Sequence, residues 1–163
     1  MHLSSIHIPV QIFPDKQALD REDALLLDRA REATGNAYAP YSRFRVGVAL
    51  RLTDGSIVTG SNQENASFPA GICAERVALS AASALSPGLA VTALALTYIN
   101  ELAEGNRPIS PCGICRQTLA EYEQRFSQPI RLILGGPQGE IFIFNQATDL
   151  LPLAFNSQEL KAI

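Results

Sequence analysis

The segment RFRVGVALRLTDGSIVTGSN, residues 43–62, predicts a β-hairpin and decides the fold. In its first half an apolar side chain recurs at every second position, which is the period of a strand with one buried face. These positions are Phe44, Val46, Val48, Leu50 and Leu52. Asp54-Gly55 then predicts a tight turn, after which the chain runs back as a second strand. We therefore expect two antiparallel strands at the start of a sheet.

Segments on both sides of this hairpin alternate between helical and extended patterns. The predicted helices cover residues 18–35, 73–85 and 115–126, and the predicted strands cover residues 91–99, 130–134 and 140–144. The order α-β-β-α-β-α-β-β indicates an α/β fold with one sheet of about five strands and helices on its faces. Residues 3–13 alternate loosely, which predicts an extra edge strand or an arm. We divide the chain into an N-terminal arm or extra strand, residues 1–20, and a single domain, residues 21–163.

Composition restricts the classes of partner. The chain has 163 residues, 47% of them hydrophobic, and a net charge of −3. This acidic balance disfavours a nucleic-acid polymer, because such binding depends on Lys and Arg along the phosphates. No apolar run approaches the roughly 18 residues of a membrane span, and the N-terminus lacks the pattern of a signal peptide. We therefore expect a cytoplasmic protein that binds a small molecule.

The three cysteines stand at the predicted starts of two helices. Cys112 and Cys115 form a C-x-x-C pair in PCGICRQ, and Cys73 opens the preceding helix. At a helix N-terminus the free N–H groups and the helix dipole lower the pKa of a thiol and favour the thiolate, which is the form that binds metal. Adjacent helices on one sheet permit the three sulfurs to meet. The odd number of cysteines favours ligands or reactive thiols over a disulfide framework.

Several interpretations of these cysteines are open from the residues alone. They are a redox C-x-x-C pair, a structural zinc site completed from elsewhere in the chain, an inert buried Cys73, and a catalytic zinc site. A catalytic zinc leaves one position for water, so it needs only three protein ligands. Glu75, two residues after Cys73, favours the catalytic interpretation because it supplies a proton carrier, although a glutamate there also stabilises a helix N-terminus.

Five motifs in order, AYAPYSRFRVG, NQENASF, ICAERVAL, SPCGICRQ and LLPLAF, resemble the short zinc-dependent cytidine deaminases of pyrimidine salvage. The resemblance covers about residues 37–155. C-A-E-R followed by P-C-x-x-C is the cysteine-only form of the deaminase signature. It implies a three-layer α/β/α sandwich with a mixed five-stranded sheet.

The resemblance also implies a set of roles. Cys73, Cys112 and Cys115 would hold one Zn²⁺ per chain, and Glu75 would shuttle protons while a zinc-bound hydroxide attacks C4 of cytosine, so that cytidine and deoxycytidine become uridine and deoxyuridine with release of ammonia. From the net charge of such a site, and not from the resemblance, we expect Arg76, three residues after Cys73, to offset the negative charge of three thiolates. The implied substrate contacts are Phe44, Asn62, Glu64, Ala74, Ser110 and Phe155.

Within that set, the resemblance implies that Phe44 packs on the base and that Asn62 and Glu64 bind the sugar hydroxyls. It gives Phe155 to a neighbouring subunit's site in a homotetramer. From the residues alone, Phe44 is equally explained as a core residue, and Asn62 and Glu64 as ordinary loop residues. Two alternatives to the main function therefore stand: a non-catalytic zinc-stabilised binding module, and a deaminase of a modified cytosine nucleoside.

Overall fold

The computed structural model describes residues 2–161 and has one mixed sheet between two layers of helices. The strands are β1 (Gln11–Phe13), β2 (Phe44–Leu52), β3 (Ile57–Ser61), β4 (Val91–Asn100), β5 (Arg131–Gly135) and β6 (Ile141–Phe144). The helices are α1 (Arg21–Ala33), α2 (Ala74–Leu85), α3 (Gly113–Phe126) and the short α4 (Ser157–Lys161). The sheet order is β1-β6-β5-β4-β2-β3, in which only the β4 and β5 pair is parallel. The predicted α/β/α architecture is confirmed.

The predicted hairpin forms as β2 and β3. The two strands pair antiparallel across the turn at Asp54-Gly55, where Gly55 has a φ of +84° that suits glycine. Val48, Leu50 and Leu52 are fully buried on one face of β2, as the period of two predicts. The hairpin therefore supplies one edge of the sheet and part of its core.

The two faces of the sheet build separate hydrophobic cores. On one face α2 and α3 pack against the alternate residues of the central strands, including Val48, Leu50, Leu94, Leu96, Leu132 and Leu134. On the other face α1 packs against the intervening residues, including Ala49, Ala93, Ala95, Ile133 and Ile143. The small alanines on the α1 side and the leucines on the other side alternate along the same strands. Burial on both faces explains why β4 and β5 are almost continuously apolar.

Two glycines let helices approach the hairpin closely. A Cβ on Gly60 would lie 2.6 Å from the carbonyl oxygen of Ala74 and from the amide nitrogen of Ala78, both in α2. A Cβ on Gly47 would clash with the carbonyl oxygen of Ala30 in α1. Glycine at these positions therefore sets the distance of α2 and of α1 from the sheet.

The expected number of strands was wrong, since the sheet has six and not five. The additional strand is β1, which pairs antiparallel with β6 and places Phe13 against the α1 side of the core. Its three residues are too few to give a distinct period, which explains why residues 3–13 predict either a strand or an arm. The boundary at residue 20 stays a prediction. In the part of the chain that the structure describes, no helix has the length and apolarity needed to cross a membrane.

Candidate active site

The three cysteine sulfurs meet at one point, beside the N-termini of α2 and α3. Cys73 is the residue that caps α2, and Cys112 is the residue that caps α3. The Sγ atom of Cys112 lies 3.7 Å from Sγ of Cys73 and 3.4 Å from Sγ of Cys115. All three sulfurs are within 4.8 Å of one another. Cys115 is buried, Cys73 is half-buried and Cys112 is exposed, so the cluster is open to solvent on one side.

The donor set and its spacing fit a zinc ion. Sulfurs placed about 2.3 Å from one tetrahedral zinc are about 3.8 Å apart, close to the separations found here. The thiols are free, which excludes a disulfide among them. Three thiolates that converge at two helix N-termini form a soft, anionic site of the kind that selects zinc. This group of cysteines could therefore hold one zinc ion.

Proton affinity within the cluster is unevenly distributed. Hydrogen bonds with Cys115 and Cys112, together with the charge of Arg76, lower the pKa of Cys73 to about 6 against the opposing effect of burial. The hydrogen bond with Cys73 and burial raise the pKa of Cys115. In the absence of metal, Cys73 is therefore the thiolate and Cys115 keeps its proton. Arg76 is half-buried in the first turn of α2, and its charge acts on the thiol of Cys73.

Glu75 lies in the first turn of α2 with only 4% of its surface exposed. Burial raises the pKa of its carboxyl group, and the negative charge of Cys73 raises it further. A glutamate that only stabilised a helix N-terminus would do so from the exposed surface, as a charged group. Here the side chain is instead buried beside the sulfur cluster, where a raised pKa suits a group that accepts and returns protons.

Asn62 holds the start of β2, and Glu64 holds the segment that precedes it. The side-chain amide of Asn62 accepts from the backbone N–H of Val46 at 2.8 Å and donates to the carbonyl oxygen of Phe44 at 2.9 Å. Glu64 accepts from the backbone N–H groups of Tyr41 at 2.9 Å and Ser42 at 3.2 Å. A hydrogen bond from the side chain of Ser42, supported by these backbone bonds, lowers the pKa of Glu64 and keeps it a carboxylate. These bonds to residues 41–46 are features that the sequence did not predict.

A cavity of about 520 Å³ extends from the sulfur cluster to these polar residues. Its lining consists of Tyr41, Ser42, Asn62, Gln63, Glu64, Asn65, Phe68, Gly71, Ile72 and Cys73. Tyr41 and Phe68 make an edge-to-face contact, with ring centroids 5.9 Å apart, at its exposed rim. The cavity thus joins a metal-binding cluster to groups that can bind hydroxyls.

Three other predicted substrate residues, Phe44, Ala74 and Ser110, lie outside that lining. Phe44 is half-buried at the start of β2, and its ring stacks on Tyr98. Ala74 is fully buried, so only its backbone is available to a ligand. Ser110 is exposed and lies two residues before Cys112.

Phe155 is separated from this cavity within the chain. Its side chain is 59% exposed and lines a different cavity, of about 490 Å³, beside Gln124 near the end of α3. The carbonyl oxygen of Phe155 accepts a hydrogen bond from the side chain of Gln117 at 2.9 Å. The C-terminal segment is therefore attached to α3, while its aromatic ring faces outward.

Arg116 fixes the turn that carries Cys112, a role that the C-x-x-C pattern alone does not contain. Its guanidinium donates to the carbonyl oxygen of Pro111 at 2.8 Å and to that of Leu150 at 3.1 Å. Both bonds run to backbone carbonyls far apart in the sequence. The arginine directly after Cys115 was the only available indication, and its partners depend on tertiary structure.

Residues 20–127 match the family model described as the cytidine and deoxycytidylate deaminase zinc-binding region. This range contains the three cysteines and Glu75. A cytidine deaminase of Halalkalibacterium halodurans is 41% identical over 144 residues, which are 88% of this chain and 99% of that protein. A cytidine deaminase of Mycobacterium tuberculosis is 36% identical, with coverage of 83% of this chain and 91% of that protein.

Solved structures agree with the sequence comparisons. The crystal structure of a cytidine deaminase from Burkholderia pseudomallei superposes with a TM-score of 0.69 at 40% identity, covering 80% of this chain and 97% of that chain. Fold and cysteine cluster together define a zinc-binding α/β deaminase. The chain belongs to the cytidine and deoxycytidylate deaminase family.

Proposed function

We propose that this protein is a zinc-dependent hydrolase that deaminates cytidine and deoxycytidine to uridine and deoxyuridine, with release of ammonia. The observation that carries this proposal is the buried carboxylate of Glu75 beside three converging cysteine sulfurs. A structural zinc site needs the sulfurs but has no use for a buried carboxyl group with a raised pKa.

Cys73, Cys112 and Cys115 are the zinc ligands in this proposal. When bound, zinc supplies the Lewis acidity that makes water a nucleophile near neutral pH. Glu75 takes a proton from the attacking water and delivers it to N3 of the cytosine ring. It then takes the second proton from the oxygen now bonded to C4 and delivers it to the amino group, which leaves as ammonia while that oxygen becomes the C4 carbonyl. Because the protons are returned to the product and the leaving group, Glu75 ends the cycle in its starting state.

Arg76 acts on the charge of this site. Three thiolates and Zn²⁺ have a net charge of −1. The guanidinium of Arg76, in the first turn of the helix that Cys73 caps, offsets that charge. Arg76→Gln should shift the acidic limb of the pH–rate profile upward while zinc is retained, and Arg76→Lys should restore the wild-type profile, since lysine keeps the charge. An unchanged profile in Arg76→Gln would contradict this role.

Asn62 and Glu64 bind the sugar in this proposal. One oxygen of Glu64 is held by backbone N–H groups, which leaves the other oxygen as the acceptor for a hydroxyl. Asn62 uses one N–H and its oxygen on β2, which leaves a second N–H to donate. Phe44 packs on the base, and the backbones of Ala74 and Ser110 contact its polar edge.

The proposal includes a homotetramer in which Phe155 of one chain closes the pocket of its neighbour. The exposed ring of Phe155, remote from its own chain's cavity, supports this arrangement. It also includes a cytoplasmic location, because a reducing compartment keeps the three thiols available as ligands.

The test is an ultraviolet absorbance assay with cytidine and deoxycytidine, together with ammonia detection and zinc analysis of the same preparation. We expect turnover of both nucleosides, about one zinc per chain, and loss of turnover with retained zinc in Glu75→Gln. Zinc without turnover of either nucleoside would favour a non-catalytic zinc-stabilised module. Turnover restricted to cytosine nucleosides modified on the base would favour a deaminase of a modified cytosine nucleoside.

A further inference from the structure

Tyr98 supports the ring of Phe44 from inside the protein. Val46 pairs with Tyr98 in the register of β2 and β4, so Phe44 is the diagonal neighbour of Tyr98 on the same face of the sheet. The two rings are stacked, with centroids 4.7 Å apart and planes 15° apart. Tyr98 is only 6% exposed, whereas Phe44 is half-buried. One face of Phe44 is thus covered by a rigidly buried aromatic ring.

The hydroxyl group of Tyr98 contacts the segment that leads to Cys112. It donates to the carbonyl oxygen of Arg107 at 3.2 Å. Gly105 passes so close that a Cβ there would clash with this hydroxyl. Five residues after Arg107 the chain reaches Cys112. A single side chain therefore contacts Phe44 with its ring and the approach to the sulfur cluster with its hydroxyl.

We propose that Tyr98 is a positioning residue that sets the distance between the aromatic surface of Phe44 and the segment carrying Ser110 and Cys112. This inference rests on the proposed function where it assigns Phe44 to the base. A base seated between these two surfaces needs their separation to be fixed, because a misplacement of about 1 Å can cost 100-fold in rate. Tyr98 fixes both surfaces without touching the base itself.

The first test separates the ring from the hydroxyl by steady-state kinetics with cytidine. Tyr98→Leu removes both contacts. It should raise KM about tenfold, because a mobile Phe44 weakens binding of the base, and lower kcat about fivefold, because the segment that carries Ser110 is no longer held. Tyr98→Phe keeps the ring and removes only the hydroxyl contact, so it should keep KM within about twofold and show the same loss of kcat of about fivefold. Phe126→Leu is the matched control, since it removes a ring from the remote pair with Tyr122.

A folded, zinc-loaded Tyr98→Leu protein with wild-type KM and kcat would overturn the inference. An equal change of KM in Tyr98→Leu and Phe126→Leu would also overturn it, because the effect would then follow general stability. If Tyr98→Leu fails to fold, Gly105→Ala is the second variant, because its methyl group would press on the hydroxyl of Tyr98 and displace the ring. We expect Gly105→Ala to raise KM. We expect the double variant Gly105→Ala with Tyr98→Phe to recover part of the lost affinity for cytidine, because the clashing hydroxyl is gone.

The second test does not depend on activity. The chain contains no tryptophan, so Phe44→Trp introduces a single fluorescent reporter at the stacked position. We expect acrylamide to quench this reporter at least about twofold more strongly when Tyr98→Leu is added to Phe44→Trp. When Phe126→Leu is added instead, we expect the same quenching as in Phe44→Trp alone. Unchanged quenching in the Tyr98→Leu background would refute positioning by Tyr98. A wild-type chain inactive on cytidine would contradict the proposed function instead, and the quenching result would then decide the role of Tyr98.

Discussion

The Sγ atoms of Cys73 and Cys112 lie 3.7 Å apart, although 39 residues separate them in the chain. Each residue caps a helix, and both helices pack on the same face of the sheet. The positive ends of two helix dipoles are therefore directed at one cluster of sulfurs. This arrangement is consistent with the lowered pKa of Cys73 before any metal is bound.

Each cysteine is expected to be necessary for zinc. Cys73→Ala, Cys112→Ala and Cys115→Ala should each lose most of the bound metal, because two thiolates leave an incomplete coordination shell. Metal analysis after dialysis against a weak chelator measures this, with Ser80→Ala, an exposed change in α2, as the control. About one zinc per chain in all three cysteine variants would contradict the three-thiolate site.

Glu75→Gln is expected to lower kcat by about 10²- to 10⁴-fold, the usual contribution of a general acid–base group, while zinc content stays unchanged. The amide has nearly the same shape but cannot carry a proton. Glu32→Gln, which changes a surface ion pair, is the matched control. A rate within tenfold of wild type in Glu75→Gln would exclude the shuttle role.

The sequence predicted most of this fold because its strongest patterns are local. The alternation in β2 and the Asp54-Gly55 turn define the hairpin without reference to the rest of the chain. The cysteines could be identified because the chain has only three, at recognisable helix starts. Each of these features is visible in a short stretch of consecutive residues.

Features that depend on register or on packing could not be predicted in this way. Tyr98 is one apolar residue in an apolar strand, and its contact with Phe44 exists only because Val46 pairs with Tyr98. The bonds from Asn62 to the backbone of β2 depend in the same way on where β3 ends. A local pattern contains neither relationship, so both appear only in the folded chain.

Free cytosine is expected to be a much poorer substrate than cytidine. Sites built to bind hydroxyls reject analogues without them by up to about 10⁴- to 10⁵-fold when fully buried, and we expect at least about 100-fold here because Glu64 is partly exposed. Glu64→Gln should lower kcat/KM for cytidine and leave kcat/KM for free cytosine unchanged, so the ratio of the two values should fall. Comparison of kcat/KM for the two substrates measures it, and equal values in the wild-type protein would contradict the assignment of Asn62 and Glu64.

Gly60→Ala is expected to weaken both folding and zinc binding. The added methyl group would press on Ala74 and Ala78 and displace α2, the helix that begins after Cys73. Overpacking of this kind typically costs about 1 to 3 kcal/mol. Gly47→Ala is the matched control, since it presses on α1 from the opposite face of the sheet. Denaturant unfolding should show a loss in both variants, while metal analysis should show reduced zinc only in Gly60→Ala. Equal zinc in both would indicate that the distance of α2 from the sheet does not control the metal site.

Phe155 is expected to act in the active site of a neighbouring chain. In its own chain it lines a separate cavity beside α3, with its ring mostly exposed. The side chain of Gln117 donates a hydrogen bond to the carbonyl oxygen of Phe155 and holds the segment in place. Stacking of an aromatic ring on a base contributes roughly 1 to 3 kcal/mol, so Phe155→Ala should lower kcat/KM by about 5- to 150-fold.

Mixing two inactive or weakened chains distinguishes action in trans from action in cis. A Glu75→Gln chain keeps Phe155, and a Phe155→Ala chain keeps Glu75. If Phe155 acts in trans, a co-expressed oligomer contains sites in which an intact Glu75 receives an intact Phe155 from its neighbour, and activity should exceed the sum of the two separate variants. If Phe155 acts in cis, every chain in the mixture lacks one of the two groups and no gain occurs. Differently tagged chains purified in tandem establish that the oligomers are mixed, so verified mixed oligomers without a gain would contradict a shared site.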